Sequence, residues 1–293
     1  MLNRQRLILA LLDRAGGSVQ HTTLVKLAFL LREETPVGQD RTFYGFVPYH
    51  HGPFSFALYR ELDSLKRNGY VEWGEKSFSL NTRNRKLSRE QIERLNSVQA
   101  EAVDTVVCAH GRKRRPALLR DVYRRYPWYA INSELKEYLP RDVPERPHRE
   151  VAAYTVGYEG KSVDEFFNGL LASGVAGVLD VRANPVSRKY GFAKGAMTRI
   201  AGNLGLAYYH LPELGITGDH RADLSDFDSY QRLLDRYERM MLPKRAFHVR
   251  AATRLLLAQP LALLCVEKDV RCCHRGRLAN RIAEESGLAV QHL

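Results

Sequence analysis

The chain has 293 residues and carries 45 Lys or Arg against 33 Asp or Glu, a formal net charge of +12 that favours polyanionic partners over a merely basic soluble role. Its 44% apolar and 10% aromatic residues exclude a disordered chain, and no apolar run approaches the roughly 18–20 residues that span a bilayer. Four cysteines, two of them adjacent, exclude a secreted disulfide scaffold at this length and fit a reducing, cytoplasmic setting with no membrane partner.

The opening residues 1–12 superficially mimic a signal peptide, but Asp13 and Arg14 interrupt them and the apolar positions keep helical spacing. Leu7, Leu11 and Leu12 predict a first helix, ended by Ala15-Gly16-Gly17. Thr22 or Thr23 is expected to cap a second, with Leu24, Leu27, Ala28 and Leu31 inward. Val47 to Pro53 reads as an unusual loop, in which His50 and His51 lack the partners that metal ligation needs. A third helix runs through Phe56, Leu58, Tyr59, Leu62 and Leu65 to Asn68-Gly69, and Tyr70–Trp73 and Ser77–Leu80 read as two short strands. Helices followed by a two-stranded element describe a winged helix, a fold that lays a helix in the major groove of DNA. Residues 1–80 are therefore expected to form a winged-helix-like domain, with DNA preferred to RNA as partner. With Lys26-Leu27, Gly52-Pro53 and Leu58-Tyr59 this segment also resembles the Panacea-type antitoxin domain, which implies a helical, interaction-prone module.

Residues 81–150 read as a basic helical extension and linker. Gln91 to Val107 has helical periodicity, followed by Arg112, Lys113, Arg114 and Arg115, and then by Arg124 and Arg125 among tyrosines and Trp128. Two readings are open: the arginines and Lys113 contact nucleic-acid phosphates while the aromatics stack on bases, or the aromatics pack on the neighbouring domain beneath a solvated helix. Three prolines between Leu139 and His148 mark the linker.

Residues 151–293 alternate strands and helices, predicting a parallel, Rossmann-like α/β domain. Strands are expected at Tyr154–Gly157, Ala176–Val181, Leu206–His210 and Leu261–Val266, with a last one within Gly287–His292. Ser162 and Glu165 form a capping box opening a helix that Ser173-Gly174 closes, and a helix is expected over Leu278–Glu285. In a parallel sheet the loops after the strands converge on one edge, which gathers Glu159, Asp180, Arg182, His210, Glu267, His274 and Arg275 at one crevice.

Four motifs carry a resemblance: Gly157-Tyr158-Glu159-Gly160, Asp180-Val181-Arg182 with Pro185 and Ser187, His210-Leu211-Pro212-Glu213-Leu214-Gly215, and Glu267 followed by Cys273-His274-Arg275. In these the C-terminal half resembles the uncharacterised family known as domain of unknown function 488, which implies no activity by itself.

The residue types suggest roles. Glu267, Glu159 and Asp180 are candidate catalytic carboxylates, His274 a proton carrier and Cys273 a thiolate nucleophile at a helix start. Arg182, Arg275, Arg188, Lys194, Ser187 and His210 suit a phosphate-bearing ligand, and Tyr158 offers a flat face to a base. The quieter alternative is that Asp180 and Arg182 pair with Arg275 and Glu267 to satisfy charge at the sheet end. Cys265 reads as core packing, and Cys272, Cys273 and His274 are too close in sequence to be expected around one metal ion. No cofactor is identified, no dinucleotide fingerprint or Walker loop is present, and the oligomeric state is not legible. The expected function is recognition, and hydrolysis, of a nucleotide or modified base in DNA, glycosylase- or nuclease-like. The alternative is a DNA-binding regulator or defence component that senses a nucleotide.

Overall fold

A computed structural model describes residues 1–220 and 226–293. The chain divides into two compact units, Met1–Glu145 and Arg146–Leu293.

The first unit runs α1 (Asn3–Arg14), β1 (Ser18–Gln20), α2 (His21–Glu34), β2 (Val47–Tyr49), β3 (Gly52–Phe54), α3 (Phe56–Arg67), β4 (Val71–Trp73), β5 (Ser77–Leu80), α4 (Arg85–Ile92), α5 (Ser97–Val106) and α6 (Arg115–Arg125). Strands β1, β5 and β4 form an antiparallel sheet in that order, and β2 and β3 a separate hairpin. Every residue from Leu24 to Leu31 is buried, so α2 is the central helix of the unit rather than one with a single inner face. The apolar sides of α1, α3, α5 and α6 close around it, and Ala102, Val103, Val106, Leu118, Leu119, Val122 and Tyr123 of the basic segment belong to that same core.

Local chemistry moves several boundaries. Neither Thr22 nor Thr23 caps α2: β1 runs straight into it, and the His21 amide donates to the Lys76 carbonyl instead. The helix expected over Gln91–Val107 is broken, because Asn96 and Gln99 form a capping box that starts α5 afresh after α4 has ended at Ile92. The expected loop at 47–53 is the β2–β3 hairpin, which Gly52 permits at φ +85°, where a Cβ would sit 2.3 Å from the Tyr123 ring.

The second unit runs β6 (Ala153–Gly157), α7 (Val163–Ser173), β7 (Gly177–Asp180), α8 (Lys194–Asn203), β8 (Ala207–His210), α9 (Phe227–Arg236), α10 (Ala246–Ala258), β9 (Leu261–Cys265), α11 (His274–Ser286) and β10 (Val290–His292). Its sheet has the order β10-β6-β9-β7-β8, every pairing parallel. This is the α/β domain expected from the alternation of strands and helices. The capping box of Ser162 and Glu165 opens α7, and Gly174, in the left-handed region, closes it.

The order determines where helices lie. From β6 to β7 to β8 the chain steps across the sheet one way, and from β8 to β9 to β10 it steps back. Right-handed crossovers then put α7 and α8 on one face and α9, α10 and α11 on the other. The burial agrees: Leu179, Val181, Leu261 and Leu263 share one core with Leu234, Val249, Leu256, Leu278 and Ile282. Strand β9, fully buried, lies between β6 and β7, whose following helix leaves on the opposite face. Such a switch point opens a crevice at the carboxyl ends of the strands.

Candidate functional site

Strand register aligns the ends. Gly157 pairs with Cys265, and Asp180 with both Leu264 and His210. Side-chain alternation then sorts the residues at these ends onto two faces.

On the α7–α8 face, Asp180 has no exposed surface and Arg182 almost none. Asp180 Oδ1 accepts from the Arg182 amide and Nε at 3.0 and 2.9 Å, and Oδ2 accepts from Arg182 Nη2 and the Tyr208 hydroxyl, both at 2.6 Å. Arg182 Nη1 donates to the Tyr158 hydroxyl at 3.1 Å and the Phe192 carbonyl at 2.9 Å. Tyr158 in turn stacks on Phe192, ring centroids 4.2 Å apart. Burial opposes the Arg182 charge, but the hydrogen bonds and charge of Asp180 prevail and hold the guanidinium more basic than usual. Burial and the Asp180 charge together push the Tyr208 hydroxyl well above the usual tyrosine range. Asp180, Arg182 and Tyr158 thus satisfy one another inside the protein, and Arg182 pairs with Asp180 rather than with Glu267.

Arg275 is committed through its two terminal nitrogens, while its buried Nε has no hydrogen-bond partner among the described residues. From the first turn of α11 its Nη1 donates to the Glu267 carbonyl at 2.6 Å and its Nη2 to the Lys268 carbonyl at 3.1 Å. This guanidinium shapes the loop after β9. Gly157 admits that loop, since a Cβ there would lie 2.0 Å from the Glu267 carbonyl oxygen. Exposed Glu159 ties down the same loop by accepting from the Lys268 amide at 2.8 Å.

His210 is a clasp. Its Nδ1 lies 3.1 Å from Lys194 Nζ and its Nε2 3.0 Å from the Arg182 carbonyl. An ammonium only donates and a carbonyl only accepts, so Nδ1 accepts and Nε2 carries the proton. Ser187 accepts from the Lys189 amide at 3.1 Å, and Arg188 is exposed. Lys189 Nζ reaches the Tyr158 carbonyl at 3.4 Å. Burial lowers the Lys189 ammonium below its ordinary value. Lys161 is lowered by burial, and further by the positive charges of Arg275 and Lys268. Lys161 is a cation that the motifs did not single out.

Between the ends of β7 and β9 lies a crevice of about 380 Å³, edged by Arg182, Ala183, Asn184, Ile216, Thr217, Gly218, Cys265 and Val266. That size falls in the range of small-ligand sites, roughly 300–1,000 Å³.

On the α9–α11 face, Cys265 follows Leu261 and Leu263 in alternation and points toward the start of α11. The ligand atoms of Cys265, Cys273 and His274 all lie within 4.8 Å of one another, and all three residues are buried. His274 Nε2 sits 3.0 Å from the Val181 carbonyl, and its Nδ1 3.8 Å from the Cys265 sulfur, which is 3.2 Å from Glu267 Oε2. Burial and the neighbouring Cys265 raise the Cys273 thiol well above its ordinary range, outweighing His274, so the helix start does not by itself make it a thiolate. Residue type and spacing alone miss Cys265, whose signal is its phase: two and four residues beyond core Leu263 and Leu261, at the strand end.

In the first unit the aromatic residues of the basic segment turn inward. Tyr123 is buried with its hydroxyl 2.9 Å from Ser133, and Tyr126 and Tyr129 pack against Phe29. Lys113, Arg124 and Arg125 bond to Asp121, and Arg125 also to Glu34. Arg112 and Arg114 are exposed, and Arg115 is half-buried.

No curated protein matches the chain. Residues 162–282, from the cap of α7 into α11 and including three of the four strand-end motifs, match the family model described as Domain of unknown function DUF488.

Proposed function

We propose that this protein acts on nucleic acid, its C-terminal crevice recognising a nucleotide or modified base and hydrolysing a bond to it. The observation that carries the reading is a ligand-sized crevice at a sheet switch point, with cations on the neighbouring strand-end segments. Lys161, Arg188 and Lys189 stand on the loops after β6 and β7 and Lys194 opens α8; beyond burial, the charges of Arg275 and Lys268 that lower Lys161 are ones a phosphate would relieve. Glu267 follows directly on crevice residue Val266, which supports it as the carboxylate that activates water or steadies a cationic sugar. Asp180, Arg182, Tyr158 and Arg275 act as positioning residues that hold this edge in shape.

The N-terminal unit serves as the DNA-holding module in this reading. Supporting it are the order α1, β1, α2, α3, β4, β5, with the β2–β3 hairpin inserted between α2 and α3, and the antiparallel β1-β5-β4 sheet, which suit a winged helix, with Arg60, Lys66 and Arg67 on the exposed side of α3. The Panacea-like residues Lys26-Leu27 and Gly52-Pro53 meet through a bond from Lys26 Nζ to the Pro53 carbonyl, which fits a shared core rather than a shared partner.

The second reading is a regulator that binds a nucleotide without turnover. Complete internal satisfaction of Asp180 favours it, because a catalytic pair of carboxylates is then reduced to Glu267 and Glu159. The two readings part when the protein is incubated with single- and double-stranded DNA carrying normal, uracil, alkylated and hydroxymethylated bases and the products are weighed by mass spectrometry. Base release or strand scission, lost in Glu267→Gln, supports the enzyme; ligand retention with no product supports the regulator.

A further inference from the structure

We propose that Cys265, Cys273 and His274 bind a divalent metal ion of zinc type. Three ligands come from two pieces of regular structure, Cys265 at the end of β9 and Cys273 and His274 at the N-cap and first residue of α11, so little ordering is needed to assemble them. Their donor atoms lie within 4.8 Å of one another. Ligands of a tetrahedral ion with bonds of about 2.0–2.3 Å stand about 3.3–3.8 Å apart, so a small contraction closes the site.

The histidine is already in the metal-ready tautomer. The Val181 carbonyl, 3.0 Å from Nε2, only accepts, so Nε2 carries the proton and the Nδ1 lone pair faces the sulfurs. A ligating imidazole commonly has its other nitrogen fixed by a backbone carbonyl in this way. Two sulfurs and one imidazole nitrogen select a borderline-soft ion such as zinc over magnesium or calcium. Binding forms two metal–sulfur bonds and one metal–nitrogen bond, and the two thiol protons leave to solvent. Cys265 gives up its hydrogen bond to Glu267 in the process.

Cys265 also borders the crevice between β7 and β9, the side from which water, once the Glu267 carboxylate moves off the sulfur, would reach the fourth position. Three protein ligands with one open position is the arrangement of catalytic rather than structural zinc. Cys272, next in sequence, is outside the cluster because the turn at 270–272 points it elsewhere, and it is only partly buried. The metal site stands on these distances alone and does not depend on the nucleic-acid reading.

The test uses the full chain, purified under reducing conditions, stripped of metal and titrated with cobalt(II). Equimolar uptake is expected, with the visible bands of tetrahedral cobalt and a near-ultraviolet thiolate band. Both are lost in Cys265→Ser and Cys273→Ser and kept in Cys272→Ser. X-ray absorption of the zinc-loaded wild type needs no variant and should show sulfur scatterers at about 2.3 Å beside a nitrogen at about 2.0–2.1 Å. A wild type without a thiolate band, a band that survives in Cys265→Ser, or a zinc shell without sulfur overturns the proposal.

Discussion

Arg182 and Asp180 close on each other at the end of β7, with Nη2 2.6 Å from Oδ2 and Nε 2.9 Å from Oδ1, and neither side chain faces solvent. The Asp-Val-Arg motif is therefore an internal brace. Through Tyr158, Tyr208 and the Phe192 carbonyl it ties the ends of β6, β7 and β8 to the segment leading into α8. Removing one member of a buried, hydrogen-bonded pair strands the other charge, at a cost of about 3–5 kcal/mol. Asp180→Asn should lower stability by that order in chemical denaturation, whereas Glu267→Gln should change it far less. Equal stabilities for Asp180→Asn and wild type would refute the brace.

Gly157 is required by a close approach rather than by a turn. With the Glu267 carbonyl 2.0 Å from an added Cβ and Arg275 Nη2 at 3.2 Å, Gly157→Ala must displace the loop after β9. A loss of about 1–3 kcal/mol is expected from overpacking, together with faster proteolysis in residues 266–272. An alanine variant with wild-type stability and digestion pattern would show that the loop yields without cost.

Lys26 gives the first unit a pH signature. Burial, then the charge of Arg115, lower its ammonium from 10.5 to about 7, while its Nζ donates to the Pro53 carbonyl at 2.9 Å. Between these values the unfolded chain holds a proton that the folded chain has released, so stability rises with pH across that window. The gain is on the order of a few kcal/mol, since a tenfold change in proton affinity corresponds to about 1.4 kcal/mol. Denaturation midpoints measured from pH 7 to 10 should climb in the wild type and stay flatter in Lys26→Met; parallel curves would contradict the assignment.

The basic segment separates into free and engaged cations. With the N-terminal unit holding DNA as proposed, Arg112→Ala with Arg114→Ala should weaken that binding at every sequence and reduce the salt slope by about 2, at about 0.9 per released phosphate contact. Arg124→Ala should do much less, because Asp121 already engages that guanidinium 3.4 Å away. The reverse order of effects would place the interface elsewhere.

Much of the second unit is legible in the sequence because its signals are local. Ser162 and Glu165 announce α7 by a capping box, and the run Leu261–Cys265 reads as a strand buried on both faces. Placing Glu159, Asp180, His210 and Glu267 at one edge then follows from topology. What cannot be read is which polar groups are spent on one another. Asp180 and Arg182 are two apart, and nothing in that spacing tells whether the arginine folds back or reaches out. The hidden partners, Tyr208 on β8 and Phe192 in the segment before α8, are brought in by packing that no local pattern announces. The Cys265 cluster is hidden for a similar reason: Cys265 stands eight and nine residues before Cys273 and His274, joined to them by a turn whose shape Arg275 sets. In the first unit, strands β1, β2 and β3 of three residues each are too short for an alternating pattern to register.

The most direct test of the central claim is fluorescence anisotropy of labelled single- and double-stranded oligonucleotides with the full chain over a salt series. Nucleic-acid recognition at the crevice predicts binding whose logarithm falls linearly with that of salt concentration, weakened in variants of Lys161, Arg188 and Lys189. Absence of binding at low salt, or binding indifferent to salt and to these cations, would contradict it and assign the crevice to a small soluble ligand.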